Sequence, residues 1–199
     1  MTTRSTPSST PNPASDRRKP GGGWPTTGRD VVEAISALDG PVTERLVTAG
    51  IAVDHAHAAI VGHSAGGHLA VYAAGRLGGR TRLFRFPTVV AQTPVLDITE
   101  TGAHDRPSVV ELMGAPFERI PEQYREASPS CLPPFASTVA VVHTVADEAI
   151  GIEASRRYVD DALARGQAAA LYEVGVGGHD AFVDPKSEAT RQTLRVLGI

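Results

Sequence analysis

Five apolar residues, Ala58-Ala59-Ile60-Val61-Gly62, run directly into a serine set between glycines, and an alanine-rich stretch follows at once. A short run without polar residues suits a strand buried on both faces, as strands of parallel sheets are. From Ala65 to Leu77 the composition is helical, and Gly78-Gly79 ends it. A strand that passes into a helix through Gly62-His63-Ser64-Ala65-Gly66 must turn sharply. That turn forces its serine into a strained conformation and lifts the hydroxyl above the sheet. Gly62 and Gly66 are expected to leave room, because a side chain at either would strike the neighbouring backbone. The N–H of Ala65, first in the helix, is expected to face any negative oxygen that develops beside Ser64.

Strand and helix patterns alternate along the rest of the chain. Helices are predicted over Asp30–Asp39, where Val31, Val32, Ile35 and Leu38 recur at helical spacing behind a Thr26 or Thr27 cap, and over Val42–Ala49. Further strands are predicted at Pro87–Ala91, Thr138–Val145 and Ala168–Val174, with helices at Glu153–Arg165 and Ser187–Leu197. Between them, Pro94–Pro134 reads as a long irregular stretch with one helix at Ser108–Met113. Such an order predicts an open, mostly parallel α/β sheet with flanking helices. Residues 1–20 are rich in Ser, Thr, Pro and Asn, with Arg4, Arg17, Arg18 and Lys19 as the main charges. A transit peptide shares this makeup, but a disordered tail is the plainer reading, which leaves 21–199 as one domain.

Composition narrows the partners. A net charge of −3 gives no reason to expect nucleic acid or an anionic membrane. The lone cysteine, Cys131, excludes an intramolecular disulfide and a cysteine-built metal site, and fits a cytoplasmic setting. No apolar run approaches the roughly 18 residues of a membrane span. Of the seven histidines, His63 and His68 stand five apart with no carboxylate at ligand spacing, so neither a metal nor an organic cofactor is expected.

A serine hydroxyl needs a base, and the base needs a carboxylate to orient it. Reactive groups of a parallel sheet gather at the carboxyl ends of its strands. Asp147 follows the Thr138–Val145 strand and His179 follows Ala168–Val174, in the order Ser, Asp, His. Asp97 and Glu148 remain alternatives for the acid. His55, His57 and His104 fall in loops, His63 and His68 are expected to pack around the turn, and His143 lies within a strand, where a core or supporting role is expected. Cys131 lacks the setting of a reactive thiol.

Ile60-Val61-Gly62-His63-Ser64-Ala65-Gly66-Gly67-His68-Leu69-Ala70 resembles the nucleophile segment of α/β-hydrolases close to kynurenine formamidase, the hormone-sensitive-lipase-like carboxylesterases and the prolyl-oligopeptidase-like enzymes. Tyr124 through Ala127-Ser128-Pro129 and Leu132-Pro133 is similar to the stretch before the acid-bearing strand in these proteins, and Gly178-His179-Asp180-Ala181-Phe182 resembles their histidine segment. The likeness covers about residues 20–199 and implies an α/β-hydrolase fold with Ser64, Asp147 and His179 as catalytic residues.

Two departures carry consequences. Thr144 stands where the family has glycine and is expected to shift Asp147 and weaken its hold on His179. The family's early oxyanion loop, H-G-G-x-W, has no counterpart here. Gly21-Gly22-Gly23-Trp24-Pro25 lacks the histidine and the preceding strand, and better matches a later stretch before the helix ahead of the nucleophile strand. The resemblance therefore implies that the first strands are missing, most simply because this is a fragment whose start is placed too late. Ala58–Gly62 then becomes an exposed apolar edge where self-association is expected. The implied function is a serine hydrolase that cleaves a carboxylic ester or arylformamide-type amide through an acyl-enzyme on Ser64, with the pocket and lid supplied by Pro94–Pro134. The competing function is a catalytically impaired remnant that binds a small ligand or partner. A peptidase is disfavoured, since no substrate-gating propeller domain precedes the chain.

Overall fold

The computed structural model describes residues 22–199. The expected tail over 1–20, and Gly21, lie outside the described residues. Four strands, β1 (Ala59–His63), β2 (Thr88–Gln92), β3 (Thr138–Thr144) and β4 (Ala169–Val174), form one parallel sheet in the order β1-β2-β3-β4. Helices α1 (Thr26–Ser36), α2 (Pro41–Thr48), α3 (Ala65–Leu77), α4 (Pro107–Met113), α5 (Pro121–Ala127), α6 (Ile152–Ala164) and α7 (Glu188–Leu197) surround it. No helix among the described residues is long and apolar enough to cross a membrane.

Alternation along the central strands divides the core between two faces. Val89, Ala91, Val139 and Val141 pack against Ala70, Val71 and Ala74 of α3 and Tyr158, Val159 and Ala162 of α6. Val90, Ala140 and Val142 face the other way, with Val174 of β4 and Ala189 of α7. The five valines of β2 and β3 in these clusters are wholly buried, and each contributes about 1.5–3 kcal/mol relative to exposure. β1 departs from the expectation of burial on both faces. Its one partner among the described residues is β2, so it forms a sheet edge, and Val61 is 45% exposed.

Pro94–Pro134 is more ordered than its sequence suggested. Besides α4 it contains α5 and two 3₁₀ turns, Phe117–Arg119 and Pro129–Cys131. Pro107 and Pro121 each open a helix at the first turn, where the missing N–H costs nothing. Ile98, Met113, Tyr124 and Ala127 form a third small core there, against which Trp24 also packs. The Trp24 and Tyr72 rings pack edge to face, with their centroids 4.8 Å apart.

The turn between β1 and α3 is strained as expected: Ser64 has φ 54° and ψ −119°. Its N–H donates to the Gln92 carbonyl of β2 at 2.8 Å, and its carbonyl accepts from His68 N–H at 3.1 Å. Gly62 is sterically necessary, because a Cβ there would lie 2.1 Å from the Gly66 carbonyl oxygen. Gly66 is not. A Cβ at Gly66 would meet nothing within 4 Å, and the second close approach belongs to Gly67, 3.0 Å from the Gly62 oxygen. The helix turns Cα66 outward, which a motif read as symmetrical about its serine does not reveal.

Two histidines lie inside the core. His68 Nδ1 donates to the Val95 carbonyl at 2.7 Å. His143 Nε2 donates to the Ile150 carbonyl at 2.9 Å, which leaves Nδ1 to accept from the Ser155 hydroxyl at 2.7 Å. Burial holds the pKa of each below the usual 6.5, so both are neutral near pH 7.

Gly62→Ala is expected to cost about 3 kcal/mol or more, as overpacking against backbone does, lowering Tm by roughly 6–12 °C. Gly66→Ala is expected to leave Tm unchanged or raise it by a few degrees, since alanine is the better helix former by about 1 kcal/mol. Thermal unfolding followed by circular dichroism distinguishes the pair. Below about pH 6.5 the unfolded chain takes up protons that buried His68 and His143 refuse. Stability is therefore fully present above that pH and is expected to fall on acidification toward pH 5. Denaturant titrations across that range, in which His143→Gln flattens the slope, measure the contribution.

Candidate active site

The carboxyl ends of four parallel strands share one edge of the sheet, and the loops beyond β1, β3 and β4 meet there. Ser64 Oγ lies 2.9 Å from His179 Nε2, and His179 Nδ1 lies 2.8 Å from Asp147 Oδ2. A carboxylate can only accept, so Nδ1 carries the proton and Nε2 presents a lone pair to the serine hydroxyl. This is the tautomer that a base for Ser64 requires. Asp147, Ser64 and His179 are thus brought together from segments 32 and 115 residues apart.

The carboxylate is held from behind. Asp147 Oδ1 accepts from Ala149 N–H and Ile150 N–H, both at 2.8 Å, while the side chain is inaccessible to solvent. Burial alone would raise its pKa, but the bonds from Ile150, His179 and Ala149 outweigh burial and hold it below the usual 3.8. His143 stands 3.7 Å from Asp147 Oδ2 and, through its bond to the Ile150 carbonyl, ties the acid loop to β3.

Thr144 does not weaken the Asp147–His179 contact. Its hydroxyl instead donates to the Gly178 carbonyl at 3.1 Å, which fastens the histidine loop to β3. The glycine of the family pattern has no side-chain donor to make this bond. His63 also proves more than packing around the turn: its Nε2 meets the carbonyl oxygen of His179 at 2.8 Å. Neither bond has a sequence signature, since each joins a side chain to backbone far along the chain.

The other candidates lie apart from this relay. Asp97 accepts from Thr99 and lines a separate hollow of about 240 Å³ with Glu100, Arg106, Ile150 and Arg157. Ser64 and His179 do not line that hollow, so it is not the acyl pocket expected of this segment. Glu148 is exposed. His57 pairs with Asp54 at the surface, His55 packs on Phe84, and His104 stacks on Phe117. His104, Asp105 and Glu118 bring ligand atoms within 4.8 Å of one another near α4, and none of them belongs to the relay. Cys131 is exposed.

Ala65 N–H, in the first turn of α3 and next to Ser64, has no partner within the helix. Trp24, at the end of the glycine-rich segment, lies away from it. Trp24 N–H donates to the Leu112 carbonyl, and the ring rests on Tyr72, about 12 Å along α3 from Ser64 at 1.5 Å per residue.

Comparison with known proteins gives a consistent setting. The family model described as "Prolyl oligopeptidase family" matches residues 41–197. No protein of curated function matches the chain. Among solved structures, a truncated carbohydrate esterase from gut microbiota superposes with a TM-score of 0.70 at 18% identity, over 88% of this chain and 68% of that one. An acetyl ester-xyloside bifunctional hydrolase from Caldicellulosiruptor lactoaceticus gives 0.67 at 19% identity, over 92% and 68%. Dipeptidyl peptidase 4 of Porphyromonas gingivalis gives 0.63 at 15% identity, over 87% of this chain but 22% of its own. The chain thus spans about two thirds of the two ester hydrolases and about a fifth of the peptidase. Its parallel sheet, the serine turn after β1 and the family match over most of its length place this chain in the prolyl oligopeptidase family of α/β-hydrolases.

Proposed function

We propose that the chain is a serine hydrolase that cleaves a carboxylic ester or an arylformamide-type amide through an acyl-enzyme on Ser64. The observation that carries this reading is the continuous relay from Asp147 through His179 to Ser64, with bonds of 2.8 and 2.9 Å. In it, Ser64 Oγ attacks the substrate carbonyl carbon while its proton passes to His179 Nε2. Ala65 N–H steadies the oxygen that becomes negative, and Asp147 steadies the imidazolium. The proton then goes to the leaving alcohol or amine, and the acyl group stays on Ser64. Water attacks that ester, His179 takes its proton, and return of the proton to Oγ releases the acid. The protons move only between Ser64, His179, the substrate and water, so the reading calls for no cofactor. The esterases among the structural neighbours favour small esters as the first substrates to test.

A catalytically impaired hydrolase is the second reading. It is favoured by the openness of the sheet beside Ser64, where β1 forms the edge and Val61 is 45% exposed. The family resemblance calls for a second oxyanion donor on that side. Lack of one such donor costs on the order of 10²–10³ in rate.

A fluorophosphonate is expected to label the wild type at Ser64, and p-nitrophenyl acetate is expected to give a burst of p-nitrophenolate. Ser64→Ala should abolish both, and Asp147→Asn should lower kcat by about 10⁴-fold, because the imidazole then takes the wrong tautomer. Absence of label and burst in folded wild type would decide for the impaired reading.

A further inference from the structure

We infer that His63 is a positioning residue, which together with Thr144 grips two successive carbonyls of the histidine loop and sets the distance between His179 and Ser64. The inference rests on the hydrolase reading and concerns how its base is kept in place. The loop has little of its own to hold it. Gly175, Gly177 and Gly178 make up three of the four residues before His179, Gly177 has φ +93°, and Val176 is 63% exposed. Packing cannot fix such a segment, so its backbone depends on hydrogen bonds.

Those bonds come from two sides. The Thr144 hydroxyl, at the end of β3, donates to the Gly178 carbonyl at 3.1 Å. His63 Nε2, at the end of β1, lies 2.8 Å from the His179 carbonyl. A carbonyl oxygen only accepts, so His63 carries its proton on Nε2. Its ring lies 4.8 Å from the His179 ring and 5.6 Å from that of Phe182, so it supports the loop along its length.

The placement of His63 has a specific effect. It is the residue before Ser64, in a turn fixed to β2 by the Ser64–Gln92 bond. A base tied to the nucleophile's own neighbour follows any small shift of that turn, and the separation of Nε2 from Oγ is preserved. A displacement near 1 Å between reacting groups costs on the order of 10²-fold. A packing role asks only for a ring at position 63. A positioning role asks for the N–H.

His63→Phe keeps a ring without the donor, His63→Gln keeps an N–H at similar reach, and Thr144→Val removes the second donor. Fluorophosphonate labelling rate, kcat and KM for p-nitrophenyl acetate, and amide exchange over residues 175–183 are measured on the full chain. The expected result for His63→Phe is a fall in labelling rate and kcat of about 10–100-fold, with KM within about twofold and faster exchange in the loop. His63→Gln should return to within about threefold of wild type, and Thr144→Val should fall between them. The inference is overturned if His63→Phe matches wild type in rate and exchange, or if His63→Gln is as impaired as His63→Phe. Should wild type resist labelling while loop exchange still responds as described, the hydrolase reading fails and the clamp stands.

Discussion

The bond from Ser64 N–H to the Gln92 carbonyl joins the turn after β1 to the sheet, and most of the site is referred to it. It continues the β1–β2 pairing one step beyond the last strand residue and so sets the height of the serine above the sheet. The left-handed backbone of Ser64 is tolerable because that bond, the His68 bond to its carbonyl and the contact of Gly62 with Gly66 fix both flanks. Local strain of about 1–3 kcal/mol is held by the rigid β2–β3 centre behind it.

Electrostatics follow from the same placement. Asp147 is shut off from solvent yet remains a carboxylate, because two backbone N–H groups and an imidazole replace the lost water. His143 lies close behind and is kept neutral by burial, so it orients the loop without competing for the charge. The core and the relay are therefore continuous, with the polar end of β3 passing directly into the site.

The strands were legible because each carries a run of apolar residues, and the alternation with helices pointed to a parallel sheet. The same signals located Ser64, Asp147 and His179, each just beyond a strand. Less was legible where one residue type serves two purposes. The helix after Pro121 was missed within a stretch read as irregular, and Gly66 was assigned a steric duty that Gly67 performs. The exposure of Val61 depends on what stands beside β1, which a strand's own composition does not encode. Thr144 and His63 act through backbone carbonyls more than thirty residues away, beyond the reach of any local pattern.

Strand order has a consequence for how the molecule assembles. Each strand lies beside the one before it in sequence, so the sheet can grow by adding one strand and helix at a time. The serine turn bonds to β2, and the aspartate loop is tied through His143 to β3 and α6. The histidine comes 115 residues after the serine and follows β4. The Ser64–His179 pair therefore draws on both outer strands of the sheet, and its spacing depends on β2 and β3 between them.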